Sequence, residues 1–152
     1  KDMLAIPRKQ RAMVRKGIKF GLTGVIDDDV RRLHDIYAVS VRNLGTPVFS
    51  CAYFRAIKDV FGPDVDIVTV MHEGRAVASV MNFYFRDQVL PYYGGGTRAA
   101  RGLAANDFLY WEVMRRAVIR VGQAGRIEQH VGLPDLDHLV RRARQMCWAP
   151  NE

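Results

Sequence analysis

The stretch Val65–Gly96, VDIVTVMHEGRAVASVMNFYFRDQVLPYYGGG, holds three β-branched and aromatic runs, VDIVTVM, RAVASVMNFYF and QVLPYY, broken by HEGR and RDQ. Runs of this composition with short polar breaks predict an antiparallel three-stranded meander. In the long middle run Val77, Met81, Phe83 and Phe85 point one way and Ala78, Val80 and Tyr84 the other. Both faces are largely apolar, so helices are expected to cover both. Three consecutive glycines, Gly94 to Gly96, then weaken the end of the last run. Each one costs entropy and packing, which suits either a tight turn or bulge or a backbone that approaches something closely.

Outside the meander the period changes from two to that of a helix. After the glycines, Asn106 is placed to cap a helix whose seam is Tyr110, Val113, Met114, Ala117, Val118 and Val121. Before the meander, SCAYFRAIKDVFGP has Ser50 as a cap, Phe54, Ile57 and Phe61 as its stripe, and Gly62-Pro63 as its stop. DDDVRRLHDIYAVSVRNLG sets aspartates at a helix's positive end and repeats Val30, Leu33, His34, Tyr37, Val41 and Leu44. At the front, IPRKQRAMVRKGIKFGLTG reads as a short helix opening at Pro7, with Ile6, Met13, Val14 and Ile18 as a narrow apolar stripe. Helices, a meander and a returning helix make an α+β order.

At 152 residues, with 49% hydrophobic and 26% charged residues, the chain has the size and balance of one folded domain rather than a disordered segment. The expected organisation is a basic helix and linker over 1–26, a central domain over 27–125, and a C-terminal loop and helix over 126–152. No apolar run reaches the ~20 residues of a membrane span, and the start lacks a signal-peptide pattern, so a cytoplasmic location is expected. Cys51 and Cys147 stand in no metal spacing, and the four histidines are scattered, so no metal site is expected. No Ser/His/Asp or Cys/His constellation is legible. The net charge of +7 favours anionic partners without choosing among them.

Three segments carry a more specific likeness. PRKQRAMVRKGIKFGL, IYAVSVRNLGTPVFSCAYFRAI and LPYYGGGTRAARGLAANDFLYWEVMRRA resemble the FemAB-type aminoacyl and peptidyl transferases, over about Ile6 to Val121. The likeness is closest to the branch associated with exosortase and exopolysaccharide systems. It implies a GNAT-like fold, tandem GNAT-like halves with a further half N-terminal to this one, and acyl transfer to an amine of an envelope or polysaccharide precursor. The donor implied is aminoacyl-tRNA; acetyl-CoA is the alternative, from the wider GNAT group. The acetyl-CoA signature of that group is missed by one position in RAARGLA, where Arg101 stands for the first glycine. The terminal strand and its motif, expected in the family, are replaced by GRIEQHVGLPDLDHLVRRARQMCWAPNE. A non-catalytic nucleic-acid or envelope-binding module is a third possibility.

Making an amide from an activated ester requires a neutral amine, donors for the tetrahedral oxyanion, and both substrates held together. Gly94, Gly95 and Gly96 offer backbone N–H groups and Tyr93 a phenol as the catalytic candidates; Tyr92 beside it could offer a phenol too, although alternation turns at least one of the two tyrosines into the core. Arg42, Tyr53, Tyr84, Arg98, Arg101, Asn106 and Trp111 are the substrate-binding candidates. Each has a bland reading beside the functional one: solvated loop arginines for Arg98 and Arg101, a favourable helix-end cation for Arg42, a cap for Asn106. Glu112 is a conceivable base or an ordinary exposed glutamate. Arg8, Lys9, Arg11, Arg15 and Lys16 are the anion-binding candidates, for tRNA phosphates, for anionic lipid, or as a solvated face.

Overall fold

A computed structural model describes residue 3 and residues 6–86 and 88–127 of the chain. The elements run α1 (Arg8–Lys19), β1 (Thr23–Ile26), α2 (Arg31–Asn43), α3 (Cys51–Phe61), a 3-10 turn at Gly62–Asp64, β2 (Val65–His72), β3 (Arg75–Phe85), β4 (Gln88–Gly96), α4 (Ala100–Leu103) and α5 (Ala105–Ile127). The four strands form one antiparallel sheet in the order β1-β2-β3-β4. The α+β architecture and the meander are as the sequence predicts. The terminal segment, with His130, His138, Pro134 and Cys147, and the missing final strand lie outside the described residues.

The linker expected before residue 27 is instead structural. Thr23–Ile26 pairs with Val68–Met71 as an edge strand, Thr23 opposite Met71 and Ile26 opposite Val68. Its four residues fall between Gly21 and an aspartate run, too short for a period to show. Gly24 lets α5 lie against this strand, since a Cβ there would sit 2.8 Å from Glu112 Cγ. Glu112 therefore packs by β1, and its Oε1 accepts from Arg115 at 2.8 Å.

Helices cover both faces, and the alternation assigns them. Val68, Val70, Ala78, Val80 and Val89 face α1 and α5, whose Val14, Phe108, Leu109, Trp111, Val113 and Met114 fill that core. Ile67, Met81 and Phe83 face α2 and α3 with Leu33, Tyr37 and Phe54. Val77 departs from its expected face and joins the α5 side. A bulge between Val70 and Met71, opposite Ala78 and Ala76, leaves Val77 as the extra residue and breaks the alternation there. Phe85, Phe61 and Leu44 were expected inside and are exposed. Ile18 is also exposed, while Ile6 and Val14 are buried as expected.

Two local devices set α2 and α3 against the sheet. The Ser50 hydroxyl accepts from Tyr53 N at 3.2 Å and caps α3. His34 Nε2 lies 3.2 Å from the carbonyl oxygen of Phe49, which accepts only, so that nitrogen carries the proton and ties the α2–α3 loop down. Lys58 donates to the carbonyls of Asp27 and Asp28, fastening α3 to the end of β1.

Candidate active site

The glycine run is not a turn: it completes β4, with Gly94 opposite Val80, Gly95 opposite Ser79 and Gly96 opposite Ala78. Each glycine has its own reason. A Cβ on Gly95 would fall 2.5 Å from both Cβ and Oγ of Ser40 on α2. One on Gly96 would meet Ala100 Cβ and Asn106 Oδ1 at 2.9 Å, and one on Gly94 would meet Ser79 O at the same distance. Gly96 N also donates to Ser40 Oγ at 3.3 Å. At Gly95 and Gly96 the face space expected to receive a substrate carbonyl is filled by protein.

Open space remains along the outer edge of β4. A cavity of about 170 Å³ is lined by Val80, Pro91, Tyr92, Gly94, Gly95, Asn106, Leu109 and Tyr110. Pro91 and Tyr92 reach it through a second bulge: Met81 pairs with Tyr93 and Asn82 with Pro91, so Tyr92 is skipped by the ladder. Tyr92 is thus the extra residue of the bulge, left out of the pairing register. The cavity thus joins an unpaired stretch of strand edge to the first turns of α5, with little charge on its walls. None of its lining residues is an acid, a base or a histidine.

The sequence-selected residues divide by where they stand. Gly94, Gly95 and Asn106 line the cavity. Tyr92, the neighbour of the catalytic candidate Tyr93, lines it and is 64% exposed. Tyr93 points to the opposite face, its hydroxyl 2.8 Å from that of Tyr53 and its ring edge-on to Tyr37 and Phe54. Burial first, and then the Tyr53 hydroxyl, hold its phenol above the usual range. Tyr93 and Tyr53 therefore form one aromatic cluster, capped by Phe49 stacked on Tyr53 at 4.7 Å. Tyr84 donates to Asp66 Oδ2 at 2.9 Å, and Trp111 is buried in the α5 core, so neither lines the cavity. Arg42 stands exposed in the last turn of α2, and Arg98 and Arg101 stand exposed around α4.

Between the glycines and α5 stand α4 and the left-handed Ala104 (φ 56°), and α5 begins at Ala105, one residue ahead of the expected cap. Asn106 consequently sits inside the first turn of α5 rather than at its cap. Its neighbour Asp107 has a raised pKa: desolvation is the main cause, opposed by a backbone hydrogen bond and by Lys9. The sign is clear. A carboxyl that ionises later in the folded state loses stability as pH rises above its ordinary 3.8. Asp107→Asn is thus expected to raise the thermal midpoint slightly at neutral pH, with the gain vanishing below pH 3.8. A gain that persists in acid would contradict this assignment.

Residues 5–123 match the family model described as an acetyltransferase (GNAT) domain, and the chain belongs to that family. Among solved structures it is similar to the crystal structure of FemX, with a TM-score of 0.69 and 12% identity over 76% of this chain. That likeness is one of fold. The match takes in 46% of the FemX chain, so this chain spans about half of its length. No curated protein sequence matches.

Proposed function

We propose that the chain is a FemAB-like N-acyltransferase domain that moves an aminoacyl or acyl group onto an amine of an envelope or exopolysaccharide precursor. The observation that carries this reading is the cavity at the bulged edge of β4, where Tyr92, left out of the pairing register, and the bare backbone of Gly94 adjoin the first turns of α5. An amine nitrogen attacks the donor's carbonyl carbon, the C–N bond forms, and the C–O bond to the tRNA ribose breaks. The ribose oxygen leaves with a proton, and the amine gives one up. Strand-edge N–H groups stabilise the oxyanion between the two steps. The attacking amine must be neutral to form the bond. Arg98 and Arg101, around α4, and Arg42 supply guanidinium groups for anionic parts of either substrate.

A second reading keeps the fold and uses acetyl-CoA, breaking a thioester C–S bond instead; the acetyltransferase family match favours it. Incubation with charged tRNA or acetyl-CoA and candidate amines, read by mass spectrometry, tests both. Filling the cavity through Asn106→Trp, at an exposed position, is expected to lower transfer at least tenfold, about 1.4 kcal/mol, while leaving the thermal midpoint unchanged. Unaltered transfer by that variant would remove the cavity from the chemistry.

A further inference from the structure

The surface of α1 poses a separate problem. Its twelve residues, RKQRAMVRKGIK, carry six cations and no acid. Arg8, Lys9 and Arg11 stand in the first turn, where the helix dipole already disfavours positive charge. Arg11–Arg15 and Arg15–Lys19 are like-charge pairs four residues apart, each destabilising. Among the described residues none of the six forms a salt bridge; Lys9 is near enough to Asp107 to oppose its raised pKa. At about 3.6 residues per turn, Arg8, Arg15 and Lys19 form one row flanked by Arg11 and Lys16. The opposite side, Val14 and Gly17, is buried, Gly17 beneath Phe108 of α5. The helix thus bears an unneutralised cationic face directed away from the body of the protein.

Two exposed apolar groups flank that face, one on each side. Ile18 is 50% exposed and Phe20 45%, and Lys16 Nζ lies 5.7 Å from the centre of the Phe20 ring. The narrow buried stripe of α1 is spent on α5, so these two side chains, not the stripe, are what α1 offers to an apolar phase. A nucleic-acid backbone calls for the cations but has no use for a protruding isoleucine.

We propose that α1 docks on an anionic phospholipid surface, its arginines and lysines on the headgroups and Ile18 and Phe20 in the acyl boundary. Charge complementarity supplies the long-range attraction and the two apolar side chains the depth. The inference does not rest on the acyl-transfer reading, because docking is measured without any donor.

Sedimentation of the full chain with phosphatidylcholine vesicles, with and without about one third phosphatidylglycerol, tests it. Binding is expected only to the anionic vesicles and is expected to weaken in high salt. At about 1 kcal/mol per basic residue near the surface, the pair K16Q/K19Q lowers the partition coefficient about 30-fold. The pair I18S/F20S, which leaves the charge unchanged, lowers it about tenfold. All four positions are exposed, and circular dichroism checks that the variants fold. Equal binding to both vesicle types overturns the proposal, as does indifference to I18S/F20S. Tight binding to a single-stranded RNA with no vesicle binding would assign the face to nucleic acid instead.

Discussion

Gly95→Val is expected to leave the chain unfolded at room temperature, and Gly95→Ala to cost about 2 kcal/mol. Gly95 is absent from the positive-φ residues, so its backbone does not require glycine. The requirement is steric. Its Cβ would stand 2.5 Å from Ser40 Cβ and Oγ and 3.4 Å from the carbonyl of Ile36. Ser40 Cβ is fixed to the α2 backbone, so no rotamer change clears it. α2 has to lift away, loosening Ile36 and Tyr37 and the bond from Gly96 N to Ser40 Oγ. The entropy gained by replacing a glycine, about 0.5–1 kcal/mol, offsets only part of this. Valine adds two methyl groups to the same clash.

Removing the obstacle should rescue the alanine variant. Ser40→Gly is expected to recover most of the loss in the double variant, despite its own helix cost of about 1 kcal/mol. Ser40→Ala should recover little, because it keeps the Cβ. Urea denaturation of the four proteins measures the coupling directly. Wild-type stability in Gly95→Ala would mean that α2 is not seated against β4 as described.

This result bears on what the sequence could reveal. A Gly-Gly-Gly run announces that something comes close, but not what. Helix α2 lies more than fifty residues upstream of Gly95, and no local pattern couples Ser40 to it. The meander, by contrast, was legible because β-branched runs of seven and eleven residues carry their own period, and Ser50 because capping is decided within four residues. β1 was missed since TGVI is four residues long and owes its pairing to Val68–Met71. Val77 was misassigned because a bulge is a property of two strands, not one.

The candidate site was legible in the same uneven way. Gly94 and Asn106 could be picked from the glycines and the helix start. Tyr92 could not be separated from Tyr93 by sequence, since alternation alone leaves open which of two adjacent tyrosines faces which side. The bulge that removes Tyr92 from the ladder decides it. A signal did exist for Tyr92: Pro91 immediately before it cannot donate to a ladder, which marks an edge or a bulge. Trp111 and Tyr84 attracted attention as large polar-tipped aromatics, yet both serve packing against the sheet.

Asp66→Ala is expected to destabilise the protein by about 3 kcal/mol. Asp66 is 6% exposed and joins β2, β3 and α5. Its Oδ1 accepts from Asn82 Nδ2 at 2.9 Å; its Oδ2 accepts from Tyr84 OH at 2.9 Å and from Arg116 Nε at 3.4 Å. Arg120 lies 3.9 Å over the Tyr84 ring and donates to the Pro63 carbonyl, closing the cluster from α5. Burial, and then Asp66, keep the Tyr84 phenol protonated beyond its usual range, so the donor is secure. Asn82 is fully buried, and its Oδ1 already has no hydrogen-bond partner among the described residues. Without the carboxylate its Nδ2 is orphaned as well, along with the Tyr84 hydroxyl. Most of the cost is therefore desolvation left uncompensated, not a lost attraction. That distinction is testable: D66L/N82L/Y84F, which removes the whole buried polar set, should be more stable than Asp66→Ala alone. Because these contacts hold the later turns of α5 to β2 and β3, Asp66→Ala should also loosen the first turns that wall the cavity, seen as faster amide exchange at Leu109 and Tyr110. A loss under about 0.5 kcal/mol on urea denaturation would show that Asp66 is not the tie between α5 and the sheet.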